Sequence, residues 1–345
     1  MGQADAEWRG DTRSAPGDFQ QEIGFILVPG FALLSFASAC EPFRAANRLA
    51  GRDLYRLRYF GETAEGRVAA SSGVEVPTEG LPREHGDLHT VFVCAGGEPT
   101  DWHRPAIHAA LRRLARFGVR IGGISGGAYL LAAAGLLADR PFTIHWEYAG
   151  ATVEAFPDLP LTRARYVVDP VRLTCGGGVA PLDMIHTLIA ARMGEAFARR
   201  VSDWFLHTAI GAAADPQRAS TAERYGVHHA TLLFVIETME KTVEAPLGRS
   251  AMAGLASISE RHLDRLFLDK CGLSFSAQYR AIRLTHARRL LRQSPLKISE
   301  IATASGFSSV AHFSRCYRIG FGCSPSAERQ RLSRNLVGDS KSRSQ

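Results

Sequence analysis

The chain has 345 residues, of which 46% are hydrophobic and 22% are charged. This composition is ordinary for globular proteins and excludes wholesale disorder, and the length suits two domains better than one. The formal net charge of +7 is unevenly spread, because residues 236–345 hold 18 Lys and Arg against 9 Asp and Glu, while the preceding residues hold 23 against 25. A basic end joined to a near-neutral remainder favours a module that binds a polyanion such as nucleic acid.

The first 20 residues are polar and lack the apolar core of a signal peptide, and no apolar run reaches the roughly 18 residues that a membrane span requires. The six cysteines form no CxxC pair and no His/Cys grouping with zinc spacing. We therefore expect a cytoplasmic chain without metal, cofactor or membrane contact. Residues 1–20 and 333–345 are expected to be disordered tails.

Between residues 21 and 210, short apolar runs that end near glycine alternate with helical periods. The runs are IGFILVPG, YRLRYFG, TVFVCAGG and VRIGGIS, and a helix-like segment such as IHAALRRLARFG separates one run from the next. FTIHW reads as a further strand, and RARYVVD with VRLTCGGG reads as a hairpin. This rhythm predicts an α/β domain with a doubly wound, mostly parallel sheet of the flavodoxin-like type.

Residues 211–235 have little periodicity and contain a proline, which predicts a linker between two domains. From Thr231 onward only helical patterns remain, and we place an all-α domain at residues 236–332. Two segments of this domain share one pattern, namely a short apolar-faced helix, a break, a serine at a cap position and a longer helix. The repeat predicts two helix-turn-helix units.

In each predicted unit the longer helix has distinct inward and outward faces. In the first, Ser259 is the cap and Leu263, Leu266 and Phe267 face inward. In the second, Gly306 supplies a turn position, Ser308 or Ser309 is the cap, and Phe313, Tyr317 and Phe321 face inward. A plain helical bundle with solvated arginines is the alternative. The outward residues near the helix starts are Arg261, Asp264, Arg265, Val310, Ala311, His312 and Arg315.

The segment RAIRLTHARRLLRQS between the units reads as a long helix whose apolar residues are Ile282, Leu284, Ala287, Leu290 and Leu291. It separates caps that we count as 49 residues apart, at Ser259 and Ser308. Two recognition helices on one face of DNA must stand about 34 Å apart. A stiff connecting helix of this kind predicts that one chain spans two major grooves.

The string IRLTHARRLL…ISEIATASGFSSVAHFSRCYRIGFGCSP resembles the DNA-binding domain of the AraC/XylS family. Phe275 and Glu328 depart from the family pattern, which usually has proline and tyrosine there. The resemblance implies binding to double-stranded operator DNA, contact with RNA polymerase and a homodimer. It also implies base-facing roles for Arg261, Asp264, Arg265, Ala311, His312 and Arg315, of which we favour Arg265 and Arg315.

The segment VRIGGISGGAYLLAAAGLL runs from a buried strand directly into a helix, which is typical of a nucleophile elbow with Ser125 at its apex. A glycine-rich turn without chemistry is the alternative. Together with CEPFRAAN, CAGG and TIHW, the elbow makes residues 21–210 resemble a ThiJ/PfpI-type, class I glutamine amidotransferase-like domain. Enzymes of that superfamily carry an elbow cysteine, a histidine and a glutamate, and the matching positions here are Ser125, His145 and Glu41.

A serine hydroxyl needs a dedicated base and no such relay is evident, so we expect a ligand site without catalysis. Similarity to a subfamily that senses amines suggests an effector such as betaine, carnitine or arginine. We therefore expect an effector-controlled transcription regulator, an activator, and the alternative is an amidase-like hydrolase with Ser125 as nucleophile, fused to a DNA-binding module. The candidate ligand residues are Glu41, Gly96, Gly97, Ser125, Gly127, His145 and Trp146, with Gly30 nearby.

Overall fold

The computed structural model describes residues 19–63 and 66–331, which divide into two compact units with the boundary between Gln217 and Arg218. Most of the predicted amino-terminal tail and the whole predicted carboxyl-terminal tail lie outside the described residues. Within those ranges, no helix is long and apolar enough to cross a membrane, and no group of three His, Cys, Asp or Glu side chains is arranged to hold a metal ion.

The first unit is built on a single eight-stranded sheet, which confirms the α/β prediction. The strands are β1 Gln21–Leu27, β2 Tyr55–Gly61, β3 Gly66–Ala69, β4 Glu75–Gly80, β5 Leu88–Ala95, β6 Arg120–Ser125, β7 Tyr166–Val168 and β8 Arg172–Cys175. They stand in the order β3-β4-β2-β1-β5-β6-β8-β7, and of these neighbouring pairs only β3 with β4 and β7 with β8 are antiparallel.

Helices cover both faces of this sheet, because successive strand residues point to opposite sides and both sides are apolar. The helices are α1 Leu33–Ala50, α2 Pro105–Arg116, α3 Gly127–Ala133, α4 Ala149–Ala155, α5 Ala180–Met193 and α6 Glu195–Trp204. Phe25 and Leu27 of β1 join the core beneath α1, α5 and α6, while Ile26 joins the core beneath α2, α3 and α4.

Two details of the first unit differ from the prediction. The antiparallel pair β3 and β4 was not anticipated. The segment FTIHW is not a strand, because Phe142 forms an isolated bridge with Leu161 and residues 143–145 continue as irregular backbone. The side chains of His145 and Trp146 therefore project from a loop.

Within residues 218–331, all regular secondary structure of the second unit is helical, as predicted. Its helices are α7 Thr221–Tyr225, α8 Ala230–Lys241, α9 Arg249–Leu255, α10 Glu260–Cys271, α11 Phe275–Gln293, α12 Ile298–Ala304 and α13 Val310–Phe321, and residues 325–331 are also helical. One apolar core joins α8, α9, α10 and the start of α11, and a second joins the rest of α11 with α12 and α13. The connecting helix α11 contributes to both cores.

Residues 211–235, expected to be a linker, are folded. Residues 211–217 pack in the first unit, where the Arg165 backbone N–H donates to Ala213 O. The second unit begins earlier than residue 236, because Val227, Leu232 and Val235 are buried in its first core.

Candidate DNA interface and ligand site

The two recognition helices begin with the same local geometry. Ser259 Oγ accepts a hydrogen bond from the His262 backbone N–H at 3.2 Å, and Ser309 Oγ accepts one from the His312 backbone N–H at 3.4 Å. The second cap is therefore Ser309 and not Ser308, so the caps stand 50 residues apart. This register makes His262 equivalent to His312, and Arg265 equivalent to Arg315.

The predicted inward residues of both helices are buried, except Phe321, which is partly buried at the end of α13. The starts of both helices present side chains to solvent. Arg261 and Arg265 of α10 are exposed, as are Ala311, His312 and Arg315 of α13. Side chains at the start of a recognition helix meet base edges in the major groove. The geometry thus presents five of the six predicted base-facing residues to solvent.

Asp264, the sixth, already has a partner. Its Oδ2 accepts a hydrogen bond from Arg249 Nη1 at 3.0 Å, and Arg249 also donates to Glu260 Oε2 at 2.7 Å. Arg249 lies in α9, so its ion pairs with Glu260 and Asp264 join the two helices of the first helix-turn-helix unit. Asp264 is half-buried, and it braces the unit in addition to any contact with a base.

In the second helix-turn-helix unit, an arginine side chain holds the turn in place, and sequence reasoning missed this contact. Gly306 has φ +73°, and an added Cβ would lie 2.5 Å from Val243 O, so only glycine fits there. The Arg283 guanidinium donates to Ser305 O at 2.9 Å and to Gly306 O at 2.6 Å. It also stacks on the Phe307 ring. An arginine in the middle of the long helix α11 thereby fixes the turn that precedes α13.

Glu328, one of the two departures from the family pattern, is buried and well partnered. Its Oε1 accepts hydrogen bonds from Arg288 and Arg292, and its Oε2 accepts one from the Tyr317 hydroxyl at 2.9 Å. Burial alone would raise the pKa of this carboxyl, but the arginine and tyrosine hydrogen bonds lower it below its usual value. The carboxylate therefore ties the residues 325–331 helix to α11 and α13.

In the first unit, the predicted elbow is present at the junction of β6 and α3. Ser125 has φ +57° and is only 5% exposed. A Cβ added at Gly126 would lie 2.3 Å from the Trp102 ring, and one added at Gly127 would lie 2.0 Å from Val93 O. The glycines are therefore required by close packing around a strained apex.

Small residues pack closely around the Ser125 hydroxyl. A Cβ on Gly177 would approach Ser125 Oγ to 3.0 Å and Ser35 Oγ to 2.9 Å. Ser35 Oγ in turn accepts a hydrogen bond from the Gly178 backbone N–H at 2.7 Å. Among the described residues, no base is hydrogen-bonded to Ser125.

Glu41 does not approach the elbow. Its carboxylate pairs with Arg44 at 2.6 Å, and its charge acts on Tyr59 of β2, where burial is the main cause that raises the pKa of the phenol to about 12. Strand β2 is three strands from β6, and strands are spaced about 4.8 Å apart. The α1 side chain beside Ser125 is therefore Ser35, contrary to the match with Glu41.

His145 and Trp146 lie on the loop that precedes α4. His145 Nδ1 accepts from the Glu147 backbone N–H at 3.3 Å, so the proton of the neutral ring sits on Nε2, and burial lowers the pKa of the imidazole. The lone pair of this nitrogen is thus engaged by backbone. Trp146 donates its backbone N–H to Gln217 Oε1 at 2.8 Å. His145 is consequently poorly arranged to deprotonate Ser125.

Two buried aromatic residues that the sequence did not single out connect the elbow to this loop. Trp102 is 1% exposed, donates from Nε1 to Gly96 O at 2.9 Å, and packs edge-on against Tyr148. Tyr148 contacts the His145 ring and is hydrogen-bonded by the backbone of Gly97. Gly96 lies against Gly30, where an added Cβ would meet Gly30 O at 2.7 Å. All candidate ligand residues except Glu41 therefore lie around the carboxyl ends of β1, β5 and β6 or on the adjoining loop.

Comparison with known proteins supports both halves of this description. A helix-turn-helix domain model matches residues 252–331. The chain is 59% identical over 312 residues to the HTH-type transcriptional regulator GlxA of Rhizobium meliloti (strain 1021), covering 90% of this chain and 96% of that protein. It is 41% identical to the HTH-type transcriptional regulator CdhR of Pseudomonas aeruginosa, covering 90% and 91% of the two chains.

Solved structures agree on the fold. An AraC family transcriptional regulator from Pseudomonas putida matches at 26% identity with a TM-score of 0.50, over 54% of this chain and 99% of that one. A ThiJ/PfpI family protein from Pseudomonas syringae has the same TM-score at 18% identity, over 73% of this chain and 98% of that one. The duplicated helix-turn-helix units and the relatives define a DNA-binding transcription regulator, and its first unit shares the fold of the ThiJ/PfpI family protein. The chain belongs to the AraC/XylS family of HTH-type transcriptional regulators.

Proposed function

We propose that the chain is a sequence-specific transcription activator whose DNA affinity is controlled by a small-molecule effector bound in the first unit. The observation that carries the DNA-binding part is the matched start of α10 and α13, where serine caps present Arg265 and Arg315 to solvent. Arginine forms bidentate hydrogen bonds with guanine O6 and N7, so both residues are suited to direct base contact.

The first unit is proposed to bind its ligand without chemistry. The support is the environment of Ser125, which is closely surrounded by Ser35 and Gly177 and donates no hydrogen bond to His145. Serine is a weak nucleophile unless a base removes its proton. The hydrolase alternative requires a base at this position, and none of the described side chains supplies one.

The effector is proposed to bind at the carboxyl edge of the parallel sheet, where open α/β sheets take their ligands. A carboxylate and a Trp together could also hold a cationic amine by charge and cation–π attraction. Glu41 is paired with Arg44 and its charge acts on Tyr59 of β2, whereas the Trp146 backbone N–H is hydrogen-bonded to Gln217. None of these contacts joins Glu41 to Trp146, so the amine class rests on sequence similarity alone.

The test is linkage between the two ligands. Operator DNA is selected from a random library by the full-length chain, and effectors are sought by thermal shift among betaine, carnitine, arginine and small amides, because a ligand that binds the folded state raises its Tm. The effector should change operator affinity by the same factor by which operator changes effector affinity, at fixed salt. Identical effector affinity with and without operator would exclude equilibrium control. Selection of no preferred sequence would exclude specific DNA binding.

A further inference from the structure

The side chain of Gln217, the last residue of the first unit, fills a polar niche formed by Thr143, Ile144, Trp146 and Ala164. Its Oε1 accepts from the Trp146 backbone N–H at 2.8 Å. Its Nε2 donates toward Thr143 Oγ1 at 2.9 Å, Ile144 O at 2.9 Å and Ala164 O at 2.7 Å. We call this niche the carboxamide subsite.

The subsite is complementary to one functional group. It offers a single N–H donor on one side and three oxygens on the other, and the Thr143 hydroxyl already directs its own hydrogen to Ala164 O at 2.6 Å. A carboxylate would face these oxygens without a hydrogen to donate, and an ammonium would leave the Trp146 N–H without an acceptor. A primary amide has two donors and an acceptor in one plane and satisfies both sides.

The position of the subsite matches the expected ligand site. A Cβ added at Gly176, the residue after β8, would lie 2.6 Å from Gln217 Cδ. Trp146 and its neighbour His145 belong to the loop that carries two of the predicted ligand residues. The Gln217 amide therefore occupies the carboxyl edge of the sheet, in the place of a ligand group.

Gln217 is also the final anchor of a strap, residues 211–217, that pairs with residues 164–166 at the start of the edge strand β7. The strap begins at Gly211, whose N–H donates to Asp183 Oδ1 at 2.9 Å, and continues at Ala213, whose carbonyl accepts from the Arg165 N–H at 2.9 Å. Pro216 forms an isolated bridge with Ala164. The second unit starts at the next residue after Gln217.

We propose that the carboxamide subsite receives a primary carboxamide or ureido group of the effector, which displaces the Gln217 side chain and releases the end of the strap. This inference rests on the proposed function, because it names the chemical class of the effector and a route from its site to the DNA-binding unit. The Gln217 side chain occupies the subsite when no ligand is bound. Its displacement by the ligand frees the end of the strap, directly before the first residue of the second unit.

The Gln217 amide competes with a free ligand from within the same chain and so has an advantage. This advantage sets the concentration that a simple probe needs. A group tethered by a short segment has an effective concentration in the millimolar range or above. Acetamide offers the subsite group and nothing else, so it should compete only at roughly 100 mM or more. An effector with further contacts at His145 and Trp146 would need far less.

The experiment follows single amides of the full-length chain by hydrogen exchange. In Gln217→Ala the Trp146 N–H loses its acceptor, and its exchange should accelerate about tenfold or more. Acetamide should restore that protection, whereas N,N-dimethylacetamide and acetate should not. In the wild-type chain, acetamide should accelerate exchange of the Arg165 N–H while Trp146 stays protected, because the strap is released and the subsite is still filled.

The matched variant is Gln217→Glu, which keeps the size but presents a carboxylate to the three oxygens. Its side chain should leave the subsite, so Trp146 exchange should accelerate as in Gln217→Ala and acetamide should restore the protection. Equal effects of acetamide and its dimethyl analogue would overturn the proposal, as would unchanged Trp146 exchange in Gln217→Ala. The wild-type competition applies even if a variant does not fold. Operator affinity unchanged in Gln217→Ala would overturn the coupling alone, whereas failure of the wild-type chain to select any operator would count against the proposed function.

Discussion

The guanidinium of Arg283 lies 4.0 Å from the centre of the Phe307 ring while it donates hydrogen bonds to the carbonyl oxygens of Ser305 and Gly306. One side chain thus caps the turn of the second helix-turn-helix unit from the connecting helix. Arg283→Leu should lower the free energy of unfolding of the DNA-binding unit by about 2–3 kcal/mol, since it removes charge-assisted hydrogen bonds and a cation–π contact. Denaturant unfolding of the full-length chain measures this change.

Arg280 is the control for that experiment, because it lies on the same helix and is exposed. Arg280→Leu should change stability by about 0.5 kcal/mol or less. Equal losses in the two variants would show that the turn does not depend on the Arg283 brace.

The recognition residues should affect DNA binding and leave the fold intact. Arg265→Ala and Arg315→Ala should each weaken operator binding by about 1–3 kcal/mol and relax specificity at one base pair. Lys270→Ala, at the exposed last turn of α10, is the matched control. Fluorescence anisotropy at fixed salt measures all three. Wild-type affinity in both arginine variants would mean that the assigned helix faces are wrong.

Ser125→Ala should keep the transcriptional response in a reporter assay, because the hydroxyl has no hydrogen-bonded base and its proposed role is one of shape. Ser125→Leu is the contrasting variant, since the apex is closely packed against Gly177 and should not admit a larger side chain. A hydrolase activity that is present in the wild type and absent in Ser125→Ala would reverse the assignment of this domain.

Glu328→Ala should destabilise the second unit by about 2–4 kcal/mol, because it removes the shared acceptor of Arg288, Arg292 and Tyr317 from a buried position. Glu328→Gln should lose less, since it keeps an acceptor oxygen. Thermal unfolding measures both. A variant with the family's tyrosine at this position that is as stable as wild type would show that the arginines need no carboxylate.

The DNA-binding unit should lose stability in mild acid through His286. Burial lowers the pKa of this imidazole to about 4, whereas an exposed histidine titrates near 6.5. Below pH 6.5 the unfolded chain takes up a proton that the folded chain does not, so this contribution is complete above pH 6.5 and declines as the pH falls toward 4. His286→Gln should flatten the decline in Tm over this window, whereas a change at the exposed His228 should not.

Sequence periodicity was sufficient to predict the helices of the second unit and their buried faces, because the inward residues follow the 3.6-residue repeat. Leu263 and Phe267 are buried where that repeat puts them. Residues 218–235 were misassigned to a linker because α7 has only five residues, Val227 is buried from the connection after it, and only the first half of α8 lies before residue 236. The strands β3 and β4 were missed for a similar reason, since their pairing spans only four residues and many of those residues are polar and exposed.

The ligand site was predicted less well because it depends on contacts between distant segments. Ser35 and Glu41 both lie on α1, but six residues correspond to 600° of rotation, which places them about 120° apart around the helix. The pattern of the chain alone does not say which of them faces the elbow. Gln217 lay in a segment that looked like a linker, and nothing local distinguishes an amide that binds Trp146 from one in solvent.

The connecting helix α11 belongs to two separate cores, so it fixes the order of the two recognition helices along the chain. We therefore expect the operator to be asymmetric. The two recognition helices carry different side chains at equivalent places, with Arg261 on one matched by Ala311 on the other. We therefore expect one chain to read two unlike half-sites in a fixed order, whereas a two-fold symmetric dimer of single helix-turn-helix units reads a palindrome. A reversed operator is a different site, so the chain can mark which side of a promoter it occupies.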